Sequence, residues 1–118
     1  MTDKKRLVIM VTYGAENPEK ATIPYVLANT ALASGIEVII GIQATGVYTV
    51  SKECYKHIFA AGFPPLRELV DNFIKSGGKI YVCGPCINSR KIDADKQLIE
   101  GAKVVNAATF IIIVQCKE

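Results

Sequence analysis

Three short apolar runs punctuate the chain: LVIMV at 7–11, VIIGI at 38–42 and IYV at 80–82. None alternates with polar residues. Unbroken runs of this length suit strands buried on both faces, as in a parallel sheet. Between them the apolar spacing changes to that of helices. Asn17-Pro18-Glu19 has the form of a helix start, with an Asn cap, a proline in the first helical position and an acid behind it. Ile23, Val26, Leu27, Thr30 and Ala31 then fall on one stripe, and Gly35 closes the segment. Leu66, Leu69, Val70, Phe73 and Ile74 recur at helical spacing, and Gly77-Gly78 stop this second helix. A weaker helical pattern over 51–61 turns Cys54, Tyr55 and Ile58 inward, and a short helix is expected over 93–100.

Strand and helix thus alternate, which predicts a single α/β domain over residues 1–118 with a mainly parallel sheet and strands near 6–12, 37–42 and 79–83. Such sheets place their sites in loops beyond the carboxyl ends of the strands. Three loops qualify: Tyr13-Gly14-Ala15-Glu16, Gln43-Ala44-Thr45-Gly46 and Cys83-Gly84-Pro85-Cys86. Toward the end of the chain the pattern is less regular. AKVV (102–105) and TFIIIV (109–114) both have strand composition, yet only Asn106-Ala107-Ala108 separate them, too few for a parallel crossover. The second is expected to return as an antiparallel strand, with a helix from Ala107 as the alternative.

Composition narrows the partners. A chain of 118 residues, half of them hydrophobic, suits one domain with one core and excludes disorder. A net charge of +3 is too small to imply nucleic acid. The only basic cluster of note, Lys4-Lys5-Arg6, is expected to be a solvated start to the first strand. The run after it is shorter than a signal-peptide core of about 7–15 residues, and nothing approaches a membrane span. A cytoplasmic protein without a membrane partner is expected, and there thiols stay reduced unless they are catalytic.

Of the four cysteines, Cys83 and Cys86 frame a Cys-Gly-Pro-Cys motif at a strand end. One such pair gives two of the four ligands of a structural zinc site. Cys54, Cys116 and the lone His57 supply no second pair, so no metal is expected, and nothing calls for a cofactor. A thioredoxin-type dithiol fits the tetrapeptide: Gly84 permits the tight entry, Pro85 pre-sets a helical φ, and a helix N-terminus stabilises a thiolate. The surroundings do not fit. Tyr81-Val82 stand where thioredoxins carry Trp, the motif falls after residue 80, and no proline follows Pro85 to form the cis-proline loop. Arg90, a turn beyond Cys86, either sets a positive charge beside the thiol or serves the short helix, capping it or pairing with Asp93 or Asp95. Gly14 and Gly46 are most simply turn glycines, with ligand-binding loops as the other reading. Cys54 and Cys116 are expected to be buried and inert, and His57 to lie on the surface.

Beyond the tetrapeptide, several pieces in order resemble the DsrE/DsrF/TusD family of YchN-like proteins across residues 6–105. They are LVIMVTYGAEN, ANTALASGIEVII, QATGV, KIYVCGPCINSRKI and LIEGAKVV. Lys91 departs from that family's usual Gly after the arginine. The resemblance implies a three-layer, flavodoxin-like α/β fold and a cysteine that carries sulfane sulfur as a persulfide. That cysteine is Cys83 in one branch's spacing to Arg90 and Cys86 in another's, and this chain satisfies both. The resemblance also implies a homo-oligomer, a trimer or hexamer, or assembly with sister subunits, and protein donors and acceptors of sulfur. The readings that follow are a cytoplasmic sulfur carrier related to sulfurtransferases, a dithiol oxidoreductase, or a binding module without turnover.

Overall fold

A computed structural model describes residues 5–115. Its elements are β1 (Arg6–Val11), α1 (Pro18–Ala33), β2 (Glu37–Ile42), α2 (Leu66–Lys75), β3 (Lys79–Cys83), α3 (Gly84–Ser89), α4 (Ala94–Gln97), β4 (Ala102–Val105) and α5 (Ala107–Gln115). Two 3₁₀ helices, Ala44–Val50 and Tyr55–His57, lie between β2 and α2. The strands pair in parallel in the order β1-β2-β3-β4, so the three expected strands and their pairing hold.

That order decides the layers. Parallel crossovers are right-handed, so a sheet that always steps the same way carries all its crossovers on one face. The main core lies there: Val38, Ile40, Ile42, Ile80 and Val82 cluster with Tyr25 and Ala28 of α1, Val70 and Phe73 of α2, and Ile87 of α3. Asn29 ties the two long helices together, donating to the Tyr25 and Leu69 carbonyls and accepting from the Asn72 amide. The other face presents Met10, Gly41 and Tyr81, and the third layer over it is α5 alone. Phe110 stands edge-on to Tyr81 with ring centres 6.4 Å apart. A Cβ on Gly41 would lie 2.6 Å from the Phe110 ring, so α5 needs a glycine beneath it.

α5 is the largest departure from expectation, since 109–114 forms a helix and not an antiparallel strand. Asn106 starts it, accepting from the Thr109 N–H on its side chain and from the Phe110 N–H on its carbonyl. With a cap available and an apolar sheet face to cover, packing overrides the β-branched composition. Arg6 closes the far end. It pairs with Glu37 at 3.2 Å and donates to the Ile113 and Val114 carbonyls at 3.0 Å, so it is no solvated flank, while Lys4 lies outside the described residues.

Other expectations shift locally. On α1 the buried residues are Ala21, Thr22, Tyr25, Ala28 and Ala31, so the inward face is rotated from the expected stripe and Leu27 is 56% exposed. Small residues let this helix sit close to the sheet, which leaves Ile23, Val26 and Leu32 at the half-buried flanks. One 3₁₀ segment at Ala44–Val50 and a second at Tyr55–His57 precede α2, and only the second falls within the helix expected over 51–61. In the first, Gly46 with Thr49 and Val47 with Val50 are buried at a spacing of three, the 3₁₀ period. The short helix expected over 93–100 shrinks to Ala94–Gln97, capped by the Asp93 carboxylate.

Candidate functional site

The carboxyl ends of the strands lie side by side, with Val11 opposite Ile42, Ile42 opposite Val82, and Cys83 opposite Val105. The loops after β1 and β2 and the start of α3 therefore meet at one edge of the molecule. Cys83 ends β3 and caps α3, Gly84 and Pro85 make the first two helical positions, and Cys86 is in the first turn. Both thiols are half-buried and free of a disulfide.

α3 has only six residues, so its dipole is a weak source of field. The donor that meets the Cys86 sulfur comes from elsewhere: the Ala44 N–H, in the loop after β2, donates to Cys86 Sγ at 3.3 Å. Ala44 adopts a left-handed conformation with φ of 51° to do so. For an alanine that conformation costs about 1–2 kcal/mol.

Close backbone approach, and not turn geometry, explains the two loop glycines, neither of which has a positive φ. A Cβ on Gly46 would lie 2.2 Å from the Val11 carbonyl oxygen, and one on Gly14 would lie 2.4 Å from that of Thr45. The loop after β2 is thus pressed against the end of β1. Beneath it, the buried Tyr25 and Thr49 hydroxyls share a hydrogen bond of 2.9 Å, and Thr49 donates to the Gly46 carbonyl.

Arg90 turns back on its own helix. Its guanidinium donates to the Cys86 carbonyl at 3.1 Å, and among the described residues it forms no ion pair with Asp93 or Asp95. Its charge still reaches the site. Burial, and then the adjacent Cys86 sulfur, push the Cys83 thiol above the ordinary range, while the Cys86 backbone N–H and, less strongly, Arg90 pull it back. Glu16 also feels Arg90, but its carboxyl is held below the usual range chiefly by the Thr45 hydroxyl. Glu16 was not among the candidates read from the sequence. Its only signal there was its place in a strand-end loop.

Lys91 takes the conformation its position needs. Its φ is 56°, the Lys91 N–H donates to the Asn88 carbonyl and the Ile92 N–H to the Ile87 carbonyl. This left-handed cap also ends α1 at Gly35 and α2 at Gly77. The loop geometry of a glycine is therefore kept with a lysine.

On the α5 side of the sheet, Cys83 opens onto a cleft of about 430 Å³ whose walls include Met10, Gly41, Tyr81, Phe110 and Ile111. His57 is exposed as expected, Cys54 is half-buried and not fully so, and Cys116 lies outside the described residues.

A sequentially ordered parallel sheet with a thiol pair at the end of its third strand defines a small α/β protein. The chain belongs to the DsrE/DsrF-like family, whose model matches residues 5–116 and which is usually linked to sulfur relay. It is 34% identical over 110 residues to the uncharacterized protein MJ0989 of Methanocaldococcus jannaschii, covering 93% of this chain and 92% of that one. It is 32% identical over 111 residues to MJ0760 of the same organism, covering 94% of this chain but only 40% of that longer protein. Among solved structures, the protein of unknown function MTH1491 from Methanobacterium thermoautotrophicum superposes with a TM-score of 0.72 at 15% identity, over 95% of this chain and 91% of that one. YchN from E. coli superposes with a TM-score of 0.61 at 12% identity, over 98% and 96%. These two likenesses are of fold. No helix of the described residues is long and apolar enough to cross a membrane.

Proposed function

We propose that the protein is a sulfur carrier in which Cys86 holds sulfane sulfur as a persulfide and Cys83 is its resolving thiol. The observation that carries this is the Ala44 N–H aimed at Cys86 Sγ, a donor suited to an anionic sulfur. Cys83 receives a backbone N–H only from Cys86 within its own turn, and burial, the larger effect, disfavours its thiolate. In loading, the Cys86 thiolate attacks the outer sulfur of a donor persulfide. The bond between the donor's two sulfurs breaks, the Cys86 sulfur gains the outer SH to become a persulfide, and the donor leaves as a thiolate. Delivery repeats the step, with an acceptor thiolate attacking the outer sulfur and Cys86 leaving. With no acceptor present, the Cys83 thiol attacks Cys86 Sγ, forming the Cys83–Cys86 disulfide and expelling hydrogen sulfide. Donor and acceptor are proteins or small thiols that reach the exposed edge formed by the three loops.

The adjacency of the two thiols also supports the dithiol oxidoreductase reading. Intact mass after incubation with inorganic polysulfide separates the two. A carrier gains sulfur that a reductant removes; no uptake, combined with efficient reduction of insulin disulfides, would establish the dithiol enzyme instead.

We further propose that the carrier works as an assembly of copies of this chain. α5 supports this, because Ile111 and Ile112 are 54% and 64% exposed on a helix that is apolar on all sides.

A further inference from the structure

We propose that Glu16 is the positioning residue of the sulfur site: its carboxylate holds the loop after β2 so that the Ala44 N–H stays aimed at Cys86 Sγ. The proposal rests on the reading of Cys86 as the working thiol. The chain of contacts is continuous. The Gly14 N–H donates to Glu16 Oε1 at 3.1 Å, which fixes the carboxylate to its own loop after β1. The Thr45 hydroxyl donates to Glu16 Oε2, with the Thr12 carbonyl oxygen a second acceptor at 3.3 Å. Ala44 precedes Thr45 in the chain, and its N–H donates to Cys86.

The back of this loop is secured without Glu16. Gly46 is buried against Val11, and Thr49 is bonded to Gly46 and Tyr25. The front is held by the backbone only on either side, where the Gln43 N–H donates to the Val11 carbonyl at 3.1 Å and the Gly46 N–H to the Gln43 carbonyl at 2.9 Å; between them Ala44 is exposed, Thr45 is half-buried, and Ala44 sits in the left-handed region that costs an alanine strain. The side-chain clamp on that front is the Thr45–Glu16 pair. Glu16 is ionised at neutral pH, because its carboxyl is held below the usual range, and an ionised carboxylate accepts from both donors at once.

The sign of the effect separates positioning from simple electrostatics. A negative charge near a thiol disfavours its thiolate. If Glu16 acted only through its charge, its removal would speed the reaction of Cys86 with an alkylating agent. If it acts by holding the Ala44 N–H in place, its removal slows that reaction. Arg90, which acts on both Glu16 and Cys83, and Cys83 itself are unchanged in the experiment.

The test is the rate of alkylation by iodoacetamide at fixed neutral pH, resolved between Cys83 and Cys86 by fragment mass spectrometry. In Glu16→Ala and in Thr45→Val, Cys86 is expected to react about threefold to tenfold more slowly, the worth of one net hydrogen bond, with Cys83 unchanged. The double variant is expected to be no slower than either single one. Glu16→Gln, which keeps an acceptor for the Thr45 hydroxyl but not the charge, is expected to recover most of the rate. An unchanged or faster Cys86 in Glu16→Ala overturns the proposal, as does a Glu16→Gln variant that matches Glu16→Ala. Alkylation reports on the thiol whether or not sulfur loads, so this proposal and the carrier reading can fail separately.

Discussion

Lys91 illustrates how a single residue can depart from a pattern while the geometry stays. Its left-handed φ of 56° and the two backbone bonds that follow it reproduce the cap made by Gly35 and Gly77 at the ends of the longer helices. Only the steric cost differs, so Lys91→Gly is expected to raise the stability of the fold by about 1 kcal/mol, measured from denaturant midpoints. A neutral or destabilising result would mean that the lysine side chain offsets the strain of its backbone. At this scale the thiols, Arg90 and the two glycines were legible in the sequence, because each is a distinctive residue type at a strand end. Their roles were less so. Gly14 and Gly46 serve close approach between loops, Arg90 takes one of its two expected places by binding its own helix, and the partner of Cys86 is a backbone N–H. A main-chain donor leaves no trace in residue type, and Glu16 acts only through contacts made by the fold.

Among the elements, the parallel strands and α2 were readable because burial on both faces, or on one clean stripe, leaves a strong period. α1 misled because its inward face is built from alanines, a threonine and one tyrosine, while Ile23 and Val26 are only half-buried and Leu27 is exposed. α5 misled because β-branched residues favour strands in general, whereas here an exposed sheet face and the Asn106 cap make a helix. Arg6 is the residue that links α5 to the sheet, through the Ile113 and Val114 carbonyls on one side and Glu37 on the other. Arg6→Ala is therefore expected to speed amide exchange in residues 110–115 while leaving β2 and β3 protected, and to cost about 1–2 kcal/mol overall. Equal exchange of α5 in both proteins would show that packing of Phe110 alone holds the helix.

Taken as a whole, the molecule has one well-covered sheet face and one covered by a single helix. That asymmetry follows from the sequential strand order, which sends every crossover to the same side. It leaves Ile111 and Ile112 in solvent in an isolated chain, and assembly would cover them. Ile111→Ser with Ile112→Ser is expected to shift sedimentation toward the monomer at micromolar concentration; a wild type that is itself monomeric there would contradict the assembly. The same architecture brings three loops to one edge, where Cys86 and not Cys83 is proposed to carry sulfur. The most direct measurement is the intact mass of wild type, Cys83→Ser and Cys86→Ser after incubation with inorganic polysulfide, before and after reductant. The predicted result is a reductant-labile sulfur on Cys83→Ser, a smaller load on wild type as the internal disulfide expels sulfide, and none on Cys86→Ser. A Cys86→Ser protein that loads as fully as Cys83→Ser would contradict it.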